Sequence, residues 1–257
     1  MKPNNFKIVV NADDFGMSNA VNQAILKSFN NSWISTTTLM CNMPGFEEAC
    51  EIAHSEKILD CIGIHFNITE GKPLTEKIRK LKKFCNNYGE MYKSFKGQTF
   101  NYVEKEAVYI ELEAQVNKLI KNHINPTHAD SHRHSHHFIG TQSLFIALAK
   151  KNSIPAVRVR FNWGNLSLQR RIYSKLYNWR LELSNLAKTK YFCEIRNVDE
   201  KLLMKKKPIE VMVHPSPGEN GRILNYKDGN DLEETLNRYL PVRNFITYDY
   251  LVREGAK

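Results

Sequence analysis

Short apolar or β-branched runs alternate with amphipathic helical stretches along nearly the whole chain, and this alternation constrains its fold more than any other feature. Lys7, Ile8, Val9 and Val10 read as a buried strand. "SNAVNQAILKSFNN" follows, with Val21, Ala24, Ile25 and Phe29 at helical spacing and Ser18 or Asn19 as cap. "STTTLM" (35–40) predicts a second strand, Pro44 opens a helix through "GFEEACEIAHSE", and "CIGIHFNI" (61–68) predicts a third strand. A strong helix is expected over 103–122, then "PTHADSH" as a short strand and its exit, "TQSLFIALAKKN" as a helix and "PAVRVRF" as a strand. Leu168, Ile172, Leu176, Trp179, Leu183 and Leu186 mark a long amphipathic helix within 166–189. "IEVMVH" (209–214) predicts a late strand, "DLEETLNRYL" (231–240) a helix and "FITY" (245–248) a final short strand.

About seven βα units result, with no linker, internal repeat or low-complexity tract, so residues 1–257 read as one α/β domain. At 257 residues and 42% hydrophobic, the chain has ample material for one core. A (β/α) barrel and a doubly wound sheet both satisfy the pattern, and both place active groups just past the C-terminal ends of strands. Residues 70–102 interrupt the pattern. They hold Phe84, Tyr88, Tyr92, Phe95, Phe100 and Tyr102 among lysines and glycines, and read equally as a lid over a site or as a self-packed excursion.

The strand ends carry the chemistry. The first strand runs into Asp13 and Asp14, the third contains His65, the segment at 127 delivers His128, Asp130, His132, His134, His136 and His137, and the late strand ends at His214. Seven of the nine histidines thus fall at or just past three strand ends. A lone histidine is usually a surface or core group. Several strands bringing Asp and His to one rim instead make a metal-ligand set with open positions, as hydrolytic sites require. The run "HADSHRHSHH" can also be read as a nonspecific metal-binding tract, but it sits inside the βα pattern, not at a terminus. If extended, His132, His134 and His136 would share one face; since all cannot ligate one ion, some must support ligands or contact substrate.

The five cysteines form no CxxC and read as reduced thiols of a cytoplasmic protein. No run reaches the length of a membrane helix, and the N-terminal residues lack the apolar stretch of a secretory signal. The net charge of +10 permits contact with an anionic partner or a membrane surface. The lysines are scattered, however, with "KIRKLKKF" and "LMKKKP" as the densest runs, so solvated faces are expected and nucleic-acid binding is not. Oligomeric state is not readable from the residues.

"NADDFGMS" at 11, "GIHFNITEGKPL" at 63, "THADSHRHSHH" at 127 and "EVMVHPS" at 210 together resemble the YdjC/ChbG family of carbohydrate deacetylases, in order and spacing, along nearly the whole chain. The resemblance implies a distorted (β/α) TIM-like barrel and removal of an acetyl group from an N-acetylated sugar or glycoconjugate. It implies one divalent ion, Mg or Zn with Mn or Co as alternatives, held by Asp14, His65 and His132. It places Asp13 as general base, His214 as general acid, and Arg158, by a looser match, beside the base. Such chemistry is consistent with the residues: an acetamide is a poor electrophile and an amine a poor leaving group, so a Lewis acid, a base for water and an acid for the departing nitrogen are all needed.

Three departures from the family pattern stand out: Arg133 replaces the middle of three successive histidines, Ser135 replaces an apolar residue, and Ser216 follows "HP" where glycine is usual. None touches the implied ligands. Arg133 is expected to face solvent or a negative charge on the substrate, and the roles of His134 and His136 stay open. Two other functions compete: a different metal-dependent hydrolysis such as phosphoester cleavage, which needs more bridging carboxylates than these strand ends supply, and noncatalytic sugar binding, against which the intact Asp and His set speaks.

Overall fold

The computed structural model describes residues 6–94, 99–138, 140–240 and 244–255. Its elements are β1 (Ile8–Phe15), α1 (Asn19–Asn30), β2 (Thr36–Leu39), α2 (Phe46–Ser55), β3 (Ile62–Phe66), α3 (Glu76–Arg79), α4 (Tyr102–Lys121), β4 (Ala129–Ser131), α5 (Gln142–Lys151), α6 (Leu168–Glu182), β5 (Tyr191–Glu194), α7 (Glu200–Leu203), β6 (Ile209–Val213), β7 (Pro215–Pro217), β8 (Ile223–Asn225), β9 (Asn230–Asp231), α8 (Leu232–Tyr239) and α9 (Tyr248–Arg253).

Six strands form one parallel sheet in the order β4-β3-β2-β1-β6-β5, curled as a half-barrel. All eight residues of β1 are buried, as a central strand covered on both faces should be. The main core runs from β1 through Phe46, Ile64, Phe66, Leu112 and Phe145 to Phe192 and Val211. Parallel strands need crossovers, and α1, α2 and α4 supply those between β1, β2, β3 and β4, each burying an apolar side. α4 does so with Val108, Leu112, Val116 and Leu119, and a full capping box, Asn101 with Glu104, fixes its start. β7, β8 and β9 form a small antiparallel sheet directly after His214.

The departures from the expected units have local causes. The segment 155–161 does not become a regular seventh strand. It makes isolated parallel bridges at Ala129–Val157 and Ala156–Ala187, which suffice to hold Arg158 beside β4. β5, "YFCE", was not expected, because four residues carry too little periodicity to read. The final strand at 245–248 is not formed: Ile246 N donates to Ile8 O, but Thr247 caps a helix that begins at Tyr248. The helix expected within 166–189 stops at Glu182, and its apolar side faces outward. In the excursion, Phe84 and Phe100 are buried against each other, whereas Tyr88, Tyr92 and Tyr102 are exposed; Phe95 lies outside the described residues. All five cysteines are free. Among the described residues, no helix is long and apolar enough to cross a membrane.

The turn after β1 is tightly determined. Gly16 has φ +82°, and a Cβ there would stand 2.7 Å from Leu39 Cδ1 and 2.9 Å from Met40 O. Asn22 of α1 accepts from Gly16 N (2.7 Å) and donates to Gly45 O (2.8 Å), which ties the strand exit to the start of α2.

Candidate active site

Successive residues of a strand point to opposite faces, so Asp13 and Asp14 should diverge. The register of β1 on β2 shifts between Ala12 and Phe15, and Asp14 takes φ +72°. This bulge brings both carboxylates to one site at the strand's C-terminal end.

Asp14 Oδ1 lies 3.2 Å from His65 Nε2 and 2.8 Å from His132 Nδ1. The far nitrogen of each imidazole meets a second carboxylate. His65 Nδ1 is 2.6 Å from Asp130 Oδ1, and His132 Nε2 is 3.0 Å from Glu70 Oε2. Thr38 Oγ1, which donates to Asp130 Oδ2, is 3.0 Å from His65 Nδ1. Metal-binding histidines are typically oriented by such a partner on the nitrogen away from the ion. Two imidazoles and a carboxylate suit Zn or another transition ion, and with several waters also Mg. A second grouping, Asp13, His65 and Asp130, also converges, but Asp13 and Asp130 are already engaged with Arg158. The Asp14 set is the better-fitting cation site.

The electrostatics agree. Burial opposes ionisation of Asp14, but hydrogen bonds from His132 and His65 override it and hold the carboxyl well below its usual range. Burial would depress His65, yet Asp130, Asp14 and Asp13 lift it to about 10. His132 is raised in the same way by Asp14 and Glu70. Hydrogen bonding by His132 lowers Glu70 to about 2, with burial opposing and Arg133 assisting. The surroundings of Asp14 are therefore arranged to hold positive charge.

Beside this cluster, Arg158 is entirely buried among three carboxylates. Its Nη1 and Nη2 donate to Asp13 at 2.8 and 2.6 Å, its Nε donates to Glu210 at 2.7 Å, and Asp130 Oδ2 is 2.5 Å from Nη1. The guanidinium stacks on Phe192 at 4.7 Å. Burial raises Asp13 but Arg158 outweighs it, so this carboxylate stays ionised well below its usual range. Glu210 is left with the weaker share: burial lifts it to about 7 despite Arg158 and the Tyr248 hydroxyl 2.5 Å away. His214 stands across Asp13, with Nε2 3.8 Å from Asp13 Oδ2, and its backbone N donates to Asn225. Its Nδ1 is buried without a partner, and burial lowers its pKa against the pull of Asp13 and Asp14.

All six residues singled out in the sequence thus meet at one place: Asp14, His65 and His132 converge, with Asp13, Arg158 and His214 alongside. The rest of the histidine run does not join them. Residues 132–137 are not extended but coil tightly, with Arg133 and His134 in the left-handed region at φ +52° and +54°. His136 and His137 pack near Tyr177, and His134 against Phe161, away from the ligand atoms. Arg133 is partly exposed and pairs with Glu70 at 2.6 Å. Glu70 and Glu210 went unrecognised as site groups, and Asp130, counted among the strand-end groups, was given no role of its own. The pairing of β3 with β4 places Asp130 directly beside His65.

Residues 7–239 match the family described as YdjC-like protein. A carbohydrate deacetylase of Clostridium beijerinckii is 34% identical over 154 residues, which is 60% of this chain and 60% of that protein. One of Geobacillus stearothermophilus is 35% identical over 152 residues, 59% of each. One of Halalkalibacterium halodurans is 31% identical over 215 residues, 82% of this chain and 85% of that protein. The chain thus spans about 60% of the length of the first two relatives. A solved structure from Enterococcus faecalis, described as concerning cellobiose-phosphate cleavage, superposes with a TM-score of 0.64 at 22% identity, covering 97% of this chain and 93% of that one.

Proposed function

The chain belongs to the YdjC-like family, and from that premise we propose that it is a metal-dependent hydrolase that removes the acetyl group from an N-acetylated sugar or glycoconjugate. One observation carries the reading: Asp14 Oδ1 faces one nitrogen each of His65 and His132, whose other nitrogens rest on Asp130 and Glu70. In this reading Asp14, His65 and His132 hold one divalent ion, Zn or Mg. The ion supplies Lewis acidity for the acetyl carbonyl and makes water easier to deprotonate.

The remaining roles belong to the chain's own groups. Asp13 is the base, taking a proton from the attacking water. Arg158 fixes both its oxygens, so it approaches along a single direction, and keeps it ionised across the working pH range. His214 is the acid. Its Nε2 faces the site, and a protonated imidazole there delivers the proton that the departing amine needs. The lowered pKa of His214 makes that proton easier to give up but limits the acid's supply as pH rises. The excursion over 70–102 starts at the rim, where Glu70 touches His132, and in this reading it covers the sugar with Tyr88 and Tyr92.

The test is acetate release from a panel of N-acetylated mono- and oligosaccharides by metal-stripped and metal-reloaded protein. Release from at least one sugar, dependent on added ion and lost in Asp13→Asn, is expected. Absence of acetate from every sugar with every ion would remove the assignment.

A further inference from the structure

α6 is amphipathic the wrong way round. Its buried residues are Ser174, Tyr177 and Leu181, while Leu168, Ile172, Leu176, Trp179 and Leu183 are between 52% and 73% exposed. At 3.6 residues per turn these five fall within about 80° of arc, opposite the buried face. The result is a continuous apolar stripe along the helix, not scattered exposure.

Its surroundings are basic. Arg171, Lys175 and Arg180 flank the stripe on α6, against a single acid, Glu182. A groove of about 1390 Å³ runs beside it, with Ile172 and Trp179 on one wall and Lys188, Tyr191 and Lys207 on the other. The two acids of this groove are occupied: Glu182 by Lys190, and Asp199 by Leu202 N and Trp163 Nε1. Lys207 belongs to the exposed run Lys205-Lys206-Lys207, which follows Met204, itself 72% exposed. Apolar stripe and polybasic run therefore meet on one face.

We propose that this face docks the protein on an anionic lipid bilayer, α6 lying in the interface with its leucines and Trp179 among the acyl chains and the lysines against the headgroups. The inference is independent of the chemistry at Asp14. A second copy of the chain is a poor occupant, because it would bring the same excess of positive charge against itself. A free glycan or nucleic acid would use the lysines but leave Leu168, Ile172, Leu176 and Leu183 uncovered. Only a surface that is both anionic and apolar satisfies both halves.

The full chain is sedimented with vesicles of phosphatidylcholine alone and of equal parts phosphatidylcholine and phosphatidylglycerol. Binding to the anionic vesicles only is expected, weakened by salt, with a blue shift of Trp fluorescence that is lost in Trp179→Phe. Leu176→Asp/Trp179→Asp and Lys205→Glu/Lys206→Glu/Lys207→Glu should each weaken binding by at least about tenfold. Both sets change exposed residues, and circular dichroism and melting are expected to show them folded. Equal binding to both vesicle types, or unchanged binding by the folded variants, overturns the proposal. So does light scattering that finds a dimer split by Leu176→Asp/Trp179→Asp when no vesicle binding is seen.

Discussion

Asp14 meets two demands at once, a backbone turn and a carboxylate at a fixed point. Its φ of +72° is tolerated by few residue types other than Gly, Asn and Asp, and only Asp adds the charge. His65→Ala and His132→Ala should each lower bound divalent metal and abolish hydrolysis with the fold kept; full metal occupancy in both purified variants would contradict the ligand set. Asp130→Asn should keep the fold and still weaken metal affinity roughly 10- to 100-fold, measured by competition with a chelator, because it loosens His65 and its tautomer. Asp13→Asn and His214→Ala should retain metal and lose about 10²- to 10⁴-fold in kcat/KM; near-normal turnover in Asp13→Asn would mean that the carboxylate only organises Arg158. Asp13, Asp14, His65, His132 and His214 of the candidate site were readable because they sit at or just past strand ends, where the pattern breaks from apolar to polar. The groups behind them were not. Glu210 lies mid-strand and Glu70 inside the excursion, and each matters only through the side chains it meets in space, Arg158 and Tyr248 for Glu210, His132 and Arg133 for Glu70.

At the scale of elements, Glu111 of α4 shows how the excursion is held. This buried carboxylate accepts from Leu74 N, Thr75 N, Thr75 Oγ1 and Gln115 Nε2, so a helix on one side of the sheet anchors the segment that leaves the rim of the candidate site. Glu111→Ala strands those donors and should cost about 1–3 kcal/mol, read from the urea midpoint. If the excursion covers the sugar, the same variant should raise KM more than it lowers kcat. An unchanged KM would leave residues 70–102 with a structural role alone. Long elements were legible: β1, α1, β3, α4 and β6 lie where their periodicity put them. α6 was legible as amphipathic, but the sequence carries no sign of which face meets the core. β5 and the segment around Arg158 were hidden or overread because they are short and their pairing depends on distant partners.

For the molecule as a whole, three deeply buried neutral histidines govern behaviour in acid. Burial pushes His128, His136 and His137 well below their ordinary value, with Arg158 adding to the effect on His128 and neighbouring histidines on the other two. Space for His128 is reserved by Gly63, where a Cβ would stand 2.6 Å from the imidazole Cε1, and its ring stacks on Tyr248 at 4.1 Å. Below about pH 6.5 the unfolded chain binds these protons and the folded chain does not, so stability present above that pH is lost as pH falls, by about 1.4 kcal/mol per histidine per pH unit. Glu210, lifted to about 7, takes up a proton in the folded state over the same range and offsets one of the three. Melting temperature should therefore drop between about pH 6.5 and 5, before most carboxylates titrate, and His128→Gln should flatten the slope. A melting temperature constant over that range would contradict the buried neutral state. The order of the sheet has a consequence for biosynthesis. β1 takes β6 as one of its two neighbours, yet leaves the ribosome almost 200 residues earlier. At roughly 5–20 residues per second, an apolar strand edge waits on the order of ten to forty seconds for its partner. Until then Arg158 lacks Glu210, and the nascent chain depends on whatever shields that edge in the cell.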